Sequence, residues 1–165
     1  MSSRRLLITA GPTNEPIDRV RYLANGSSGR LGLALAEAGR DAGWTVTLLL
    51  GPVAADPPTG VNTHRFTTTA ELESLLAEHF PRCEVLIMAA AVADYRPDAP
   101  EQAKLPRGRA PINLRLAPTP DLVAGCAAGK RPDQRIVGFA LESAEVLADR
   151  AGEKLRRKRL DAIVA

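Results

Sequence analysis

The sequence is poor in aromatic residues and cysteine, nearly balanced in charge, and without a long apolar run. One tryptophan, two tyrosines and three phenylalanines in 165 residues leave no platform for stacking successive bases. The net charge of +3, from 22 Lys+Arg against 19 Asp+Glu, is too small to mark a nucleic-acid surface. Cys83 and Cys126 sit among apolar or small residues with no orienting partner in the pattern. A disulfide scaffold and a nucleophilic thiol are therefore disfavoured, and reduced, partly buried thiols are expected. His64 and His79 are far apart in the chain and lack the cysteine or carboxylate spacing of a transition-metal site, so none is expected. The apolar run at 6–9 stops at Gly11 and Pro12, too soon for a signal core or a membrane span. A cytoplasmic protein with no membrane and no nucleic acid as partner is expected.

What is present is a regular exchange of short apolar runs with amphipathic stretches. Residues 5–9, 44–50, 61–66, 85–89, 135–140 and 160–165 read as strands. Residues 30–43 read as a helix with Leu31, Leu35 and Ala38 on one side and Ser27 or Ser28 as its cap. Residues 70–80 read as a second helix capped by Thr68 or Thr69. A third covers 119–128, with Thr119 as cap and Pro120 in its first turn, and a fourth covers 144–159. Residues 14–28 form a long loop with room for one helical turn near 17–22, and 51–60 form a Pro- and Ala-rich loop. Residues 90–115 mix proline and charge; they read as loop plus a hairpin, with 113–116 as an edge strand. No repeat or linker divides the chain, so 1–165 is read as a single domain. Strands alternating with helices predict an α/β fold: a three-layer, Rossmann-like, open and mostly parallel sheet with helices on both faces. Ligands of such sheets bind at the carboxyl ends of the strands.

Four segments at strand or helix ends can carry chemistry. The run Asn25-Gly26-Ser27-Ser28-Gly29-Arg30-Leu31-Gly32 offers glycines for close backbone approach, hydroxyl donors, and the amides of a helix start for phosphate oxygens. The plain alternative is a connecting turn. It lacks a P-loop lysine, and over a dozen residues part it from the first strand, unlike a dinucleotide fingerprint. The run Ala89-Ala90-Ala91-Val92-Ala93-Asp94-Tyr95-Arg96-Pro97 lets a flat ring lie against backbone, with Asp94 as acceptor for a sugar hydroxyl or a metal ion; otherwise it is a tight turn. Gly138-Phe139-Ala140 ends another strand, where Phe139 packs either on a base or in the core. Lys154 and Lys158 lie one turn apart, on one helix face, and suit either a triphosphate or solvent.

Taken together these segments resemble phosphopantothenoylcysteine synthetase, the phosphopantothenate–cysteine ligase of coenzyme A biosynthesis. The opening run Ile8-Thr9-Ala10-Gly11-Pro12-Thr13-Asn14-Glu15-Pro16-Ile17-Asp18-Arg19-Val20-Arg21, continued by Asn25-Gly26-Ser27-Ser28-Gly29, is similar to that family's first signature. Ala90-Ala91-Val92-Ala93-Asp94-Tyr95 is similar to the second. Thr119-Pro120-Asp121-Leu122, Gly138-Phe139-Ala140-Leu141-Glu142 and Lys154-Leu155-Arg156-Arg157-Lys158 follow in order.

The resemblance implies that CTP, or less readily ATP, activates the carboxylate of 4′-phosphopantothenate as an acyl nucleotidylate, assisted by Mg2+. The amine of cysteine then displaces the nucleotide. It further implies Asn25 handling the acyl intermediate, and Gly11, Ser27, Ser28 and Gly29 in the phosphate region. Ala89, Ala90, Ala91, Asp94, Pro120, Asp121, Leu122 and Phe139 would surround the nucleotide, with Lys104, Lys154 and Lys158 on its phosphates. A homodimer is implied too. The family is often fused to a flavin-dependent decarboxylase, which this chain is expected to meet as a separate partner, carrying no flavin itself.

Two departures stand out. The family's Lys-x-Lys-Lys flap reads Lys104-Leu105-Pro106-Arg107 here; proline limits its motion and arginine offers a rigid fork in place of a point charge. The family also continues beyond Val164-Ala165, so a missing C-terminal extension is expected. These departures motivate the competing reading, a non-catalytic nucleotide-binding or interaction module. A nicotinamide-dependent reductase would require a fingerprint directly after the first strand, and a tyrosine three residues before a helical lysine; neither is present.

Overall fold

The computed structural model describes residues 4–108, 111–141, 143 and 145–165. Strand β1 (Arg5–Ala10) lies between β4 (Thr45–Leu50) and β6 (Val85–Met88). β5 (Asn62–Arg65) extends the sheet beyond β4, and β9 (Arg135–Phe139) then β10 (Ala162–Val164) extend it beyond β6. All of these pairings are parallel, and the order β5-β4-β1-β6-β9-β10 is that of a doubly wound sheet. The chain reverses its direction of travel between β1 and β6, which opens a crevice at their carboxyl ends.

Alternation along the central strands makes two cores. Leu6, Ile8, Ala10, Val46, Leu48 and Leu50 face Ala36 of helix α1 (Arg30–Asp41). Leu7, Leu49, Leu86 and Ile136 face the other way. There they meet Leu72 and Leu76 of α2 (Thr69–His79) and Leu122, Val123 and Ala127 of α3 (Leu122–Ala128). Leu155 of α4 (Leu147–Arg157) packs at the edge of that second core. Right-handed crossovers account for the split: α1 carries the chain from β1 to β4, and the other three carry it the opposite way. The expected α/β architecture with helices on both faces is the one observed.

Several local expectations are corrected. The buried face of α1 is Gly32, Ala36 and Gly39; Ala38 is exposed, Leu35 half-buried and Leu31 53% exposed. A Cβ on Gly32 would stand 2.4 Å from the Ala10 Cβ, and one on Gly39 2.7 Å from Leu6 Cδ2. The helix lies too close to β1 for any larger side chain. Neither Ser27 nor Ser28 caps α1; its N-cap is Gly29, at φ 70°. Asp121 replaces Thr119 as the cap of α3, accepting from the Ala124 N–H at 3.1 Å, and Pro120 precedes the helix. For α2 the cap is Thr68, in a reciprocal box with Glu71.

Residues 14–24 contain no helical turn. They form a hairpin of β2 (Asn14–Pro16) and β3 (Tyr22–Ala24), because the Asp18 carboxylate draws the N–H groups of Val20 and Arg21 into a turn at 2.7 and 2.8 Å. A second hairpin pairs β7 (Tyr95–Pro97) with β8 (Leu116–Pro118), later in the chain than the expected 113–116. Helix α4 begins at Leu147. Ala144, the expected start of that helix, and Glu142 of the matching signature lie outside the described residues. His64 and His79 are close in space, with ring centroids 4.3 Å apart. Cys83 is buried, Cys126 half-buried, and both are free. Among the described residues no helix is long and apolar enough to cross a membrane.

Candidate functional site

The carboxyl ends of β6 and β9 open into a cavity of about 670 Å³. Its floor is the strip Ala89, Ala90, Ala91 and Val92, which leaves β6 with no side chain large enough to block it. Three contacts from the end of β1 and the segment after it fix this strip. Thr9 Oγ1 accepts from Ala90 N at 3.1 Å, the Gly11 carbonyl accepts from Ala91 N at 2.9 Å, and Thr13 Oγ1 accepts from Ala93 N at 3.0 Å. Thr13 is in turn bonded to Thr69 at 3.3 Å, and the Thr69 N–H and hydroxyl both donate to buried Glu15, at 2.9 and 2.7 Å. A buried polar seam thus locks three strand-end loops together.

The walls come from four elements. Gly138 and Phe139 end β9 on one side, and Pro120, Asp121 and Leu122 open α3 on another. Helix α4 contributes Lys154 and Arg157, and its C-cap is Lys158, at positions i, i+3 and i+4 and so on one face. The Lys154 ammonium donates to the Phe139 carbonyl at 2.6 Å, and that of Lys158 lies 3.1 and 3.0 Å from the two Asp121 oxygens. Burial pushes the Asp121 carboxyl up. Lys158, the Ala124 N–H and the charge of Arg157 outweigh this and hold it below the usual carboxylate range. Asn25 reaches the same cavity from the loop before α1, its Nδ2 donating to the Val92 carbonyl at 2.9 Å. Asp94 stands exposed on the rim, and its carbonyl accepts from Thr119 N at 2.9 Å.

Eleven of the residues singled out from sequence line this one cavity: Asn25, Ala89, Ala90, Ala91, Asp94, Pro120, Asp121, Leu122, Phe139, Lys154 and Lys158. Gly11, Ser27, Ser28, Gly29 and Lys104 do not. Gly11 and Gly29 are closely packed: a Cβ on Gly29 would lie 2.8 Å from Val53 Cγ1 and 3.4 Å from Gly11 N. Ser27 Oγ is 3.4 Å from Gly29 N, and Ser28 is exposed. Lys104 is exposed, next to Leu105, whose N–H donates to buried Asp18 at 3.1 Å.

Sequence reasoning quoted Arg157, Thr119 and Asp18 within longer runs but assigned none of them a role at the site. Arg157 was findable as the residue three after Lys154. The Thr119 hydroxyl donates to the Ala93 carbonyl at 2.5 Å and joins β8 to the cavity floor; that pairing spans 26 residues and leaves no sequence signal. The partner of Asp18 is 87 residues away and left none either.

Residues 1–165 match the family described as DNA/pantothenate metabolism flavoprotein C-terminal domain. The chain is 43% identical over 165 residues to a cysteine/cysteine sulfinic acid decarboxylase of an unknown prokaryotic organism, and covers 46% of it. It is 40% identical over 174 residues to the coenzyme A biosynthesis bifunctional protein CoaBC of Mycobacterium bovis, covering 42% of that protein. In both alignments 99% of this chain is covered. It therefore spans less than half the length of these curated relatives. Among solved structures, the C-terminal domain of CoaBC superposes with a TM-score of 0.88 at 36% identity, over 100% of this chain and 78% of the other. A match along the whole sequence, together with the doubly wound sheet and its strand-end cavity, assigns the chain to the family of DNA/pantothenate metabolism flavoprotein C-terminal domains.

Proposed function

We propose that this domain is a phosphopantothenate–cysteine ligase: it joins 4′-phosphopantothenate to cysteine through an acyl nucleotidylate, at the expense of CTP in preference to ATP. The observation that carries the reading is the meeting of three different surfaces in one cavity. A strip of small residues backed by Phe139 suits a flat base. The cationic face of Lys154, Arg157 and Lys158 suits a chain of phosphates, and the amide of Asn25 lies against the strip. The CoaBC relatives supply the pathway, coenzyme A biosynthesis.

In the first step the pantothenate carboxylate attacks the α-phosphorus and pyrophosphate leaves. Negative charge gathers on the phosphates, where the end of α4 presents three cations and Lys104, outside the cavity lining, would add a fourth. Lys158 would exchange its Asp121 oxygens for phosphate oxygens, leaving Asp121 with the Ala124 N–H as cap. In the second step the amine of cysteine attacks the acyl carbon, the amide forms and the nucleoside monophosphate leaves. Asn25 has two amide protons. One is committed to the Val92 carbonyl, which fixes the side chain; the other would donate to the acyl oxygen. No enzyme nucleophile is required. Free Cys83 and Cys126 suit this, since burial pushes both thiols up to about 11 and keeps them protonated. An Mg2+ ion held mainly by phosphates and water needs one protein carboxylate, which Asp94 on the rim would supply. Bound there, it would offset phosphate charge.

We also propose a homodimer in a cytoplasmic setting. The two hairpins present Tyr22 and Tyr95 more than half exposed, with Ile112, Leu114 and Leu116 nearby in sequence also exposed; a second copy would cover this apolar surface. The product retains the cysteine carboxylate, which a separate flavin-dependent decarboxylase would remove.

The test is pyrophosphate release with phosphopantothenate and cysteine, supplied with either CTP or ATP. Release with CTP exceeding that with ATP is expected. Lys104→Ala should slow release at least about tenfold, ~1.4 kcal/mol in the transition state. Nucleotide binding without release would favour the non-catalytic reading.

A further inference from the structure

The Asp18 carboxylate is fully enclosed and serves two segments far apart in the chain. On its own side it accepts from Val20 N and Arg21 N at 2.7 and 2.8 Å and pairs with the Arg21 guanidinium. Across the fold it accepts from Leu105 N at 3.1 Å. The Arg21 guanidinium completes the clasp, with Nη1 and Nη2 both 3.4 Å from the Leu105 carbonyl. A third tie, Glu101 N to the Ile17 carbonyl at 2.9 Å, lies four residues before Leu105. The turn between β2 and β3 therefore grips the backbone on either side of Lys104, whose side chain is exposed.

We propose that Asp18 is a positioning residue: with Arg21 it anchors the backbone at Leu105, so that Lys104 works from a fixed base when nucleotide occupies the cavity. Its link to Lys104's role rests on the ligase reading; the anchoring does not. An acceptor as short as aspartate, buried and offered donors from both segments, suits a permanent clasp. Burial pushes the carboxyl up. The N–H groups of Val20, Arg21 and Leu105, with the Arg21 charge, outweigh that and hold it at about 2, so the clasp stays ionised at any working pH.

Two measurements decide this. The Lys104–Leu105 peptide bond is a trypsin site whose nitrogen is the one held by Asp18. Asp18→Asn should speed cleavage at that bond at least about tenfold at matched global stability, because the clasp must open before protease can bind. An unchanged cleavage rate overturns the anchoring. For positioning, pyrophosphate release and CTP affinity are compared in a cycle of Asp18→Asn, Lys104→Ala and the double variant. Asp18→Asn should slow release severalfold in the parent and have no further effect once Lys104 is gone. Independent, multiplying effects overturn positioning through Lys104. If Asp18→Asn fails to fold, Leu105→Pro removes the same N–H from the other partner, and it should weaken CTP binding as Lys104→Ala does. If the parent neither releases pyrophosphate nor binds CTP, the ligase reading fails and trypsin alone decides the clasp.

Discussion

Replacing Gly32 with alanine tests the closest approach in the fold, between α1 and β1. The new Cβ would lie 2.4 Å from Ala10 Cβ, 3.1 Å from Ala10 Cα and 3.2 Å from the Thr9 carbonyl oxygen. Ordinary contact begins at 3.4 Å, so helix and strand must part by about 1 Å. Two of the three obstacles are backbone, which cannot swing aside. Overpacking of this kind costs roughly 1–3 kcal/mol, and the obstacles argue for the upper end. Alanine returns about 1 kcal/mol of helix propensity. The net is about 2 kcal/mol, which for a chain of this size is a fall of roughly 4–8 °C in melting temperature. The displacement also moves the loop holding Asn25, and a shift near 1 Å in a positioned group costs on the order of 100-fold in rate. Gly125, exposed in α3, provides the comparison: nothing lies within 4 Å of its added Cβ. Gly125→Ala should raise the melting temperature by a few degrees through propensity alone. Calorimetry and pyrophosphate release on both variants check this. Equal melting temperatures for Gly32→Ala and the parent would refute the packing argument.

Three further outcomes are expected. Asn25→Asp keeps size and turn preference but exchanges the amide donor for a charge; the variant should bind nucleotide and form the acyl nucleotidylate, which mass spectrometry of quenched reactions should show accumulating as product formation falls. Parent-rate turnover would make Asn25 a turn former. Cys83 and Cys126, raised by burial from near 9 to about 11, should resist alkylation at pH 8 in the folded protein and react at once in urea. Since the folded values lie above the unfolded ones, their contribution to stability is complete below about pH 9 and declines as pH rises through 11, so melting temperature should fall across that interval.

The cavity was legible in the sequence to the extent that each of its parts is local. Ala89 to Ala91 follow an apolar strand, Phe139 ends another, and Lys154 with Lys158 share a helix face by spacing alone. Once the strands are taken as parallel, all these parts must meet at one edge of the sheet. The hairpins were the weak point. Residues 14–24 carry no clear alternation, and their turn depends on Asp18, whose carboxylate also binds Leu105 across the fold.

What the sequence by itself determined is the order of the six main-sheet strands and four helices, the doubly wound sheet and the strand-end segments that line the cavity, because period and breaker residues act over a few positions. Tertiary structure decided which face of α1 is buried. Hydrophobicity favoured Leu31 and Leu35, yet the closeness of helix and strand admits only Gly32, Ala36 and Gly39. It also decided that Gly11 and Gly29 lie against Val53, and that Thr119 and Asp18 find partners 26 and 87 residues away. Contacts of that kind depend on how layers approach one another in space, and no periodicity along the chain records that distance.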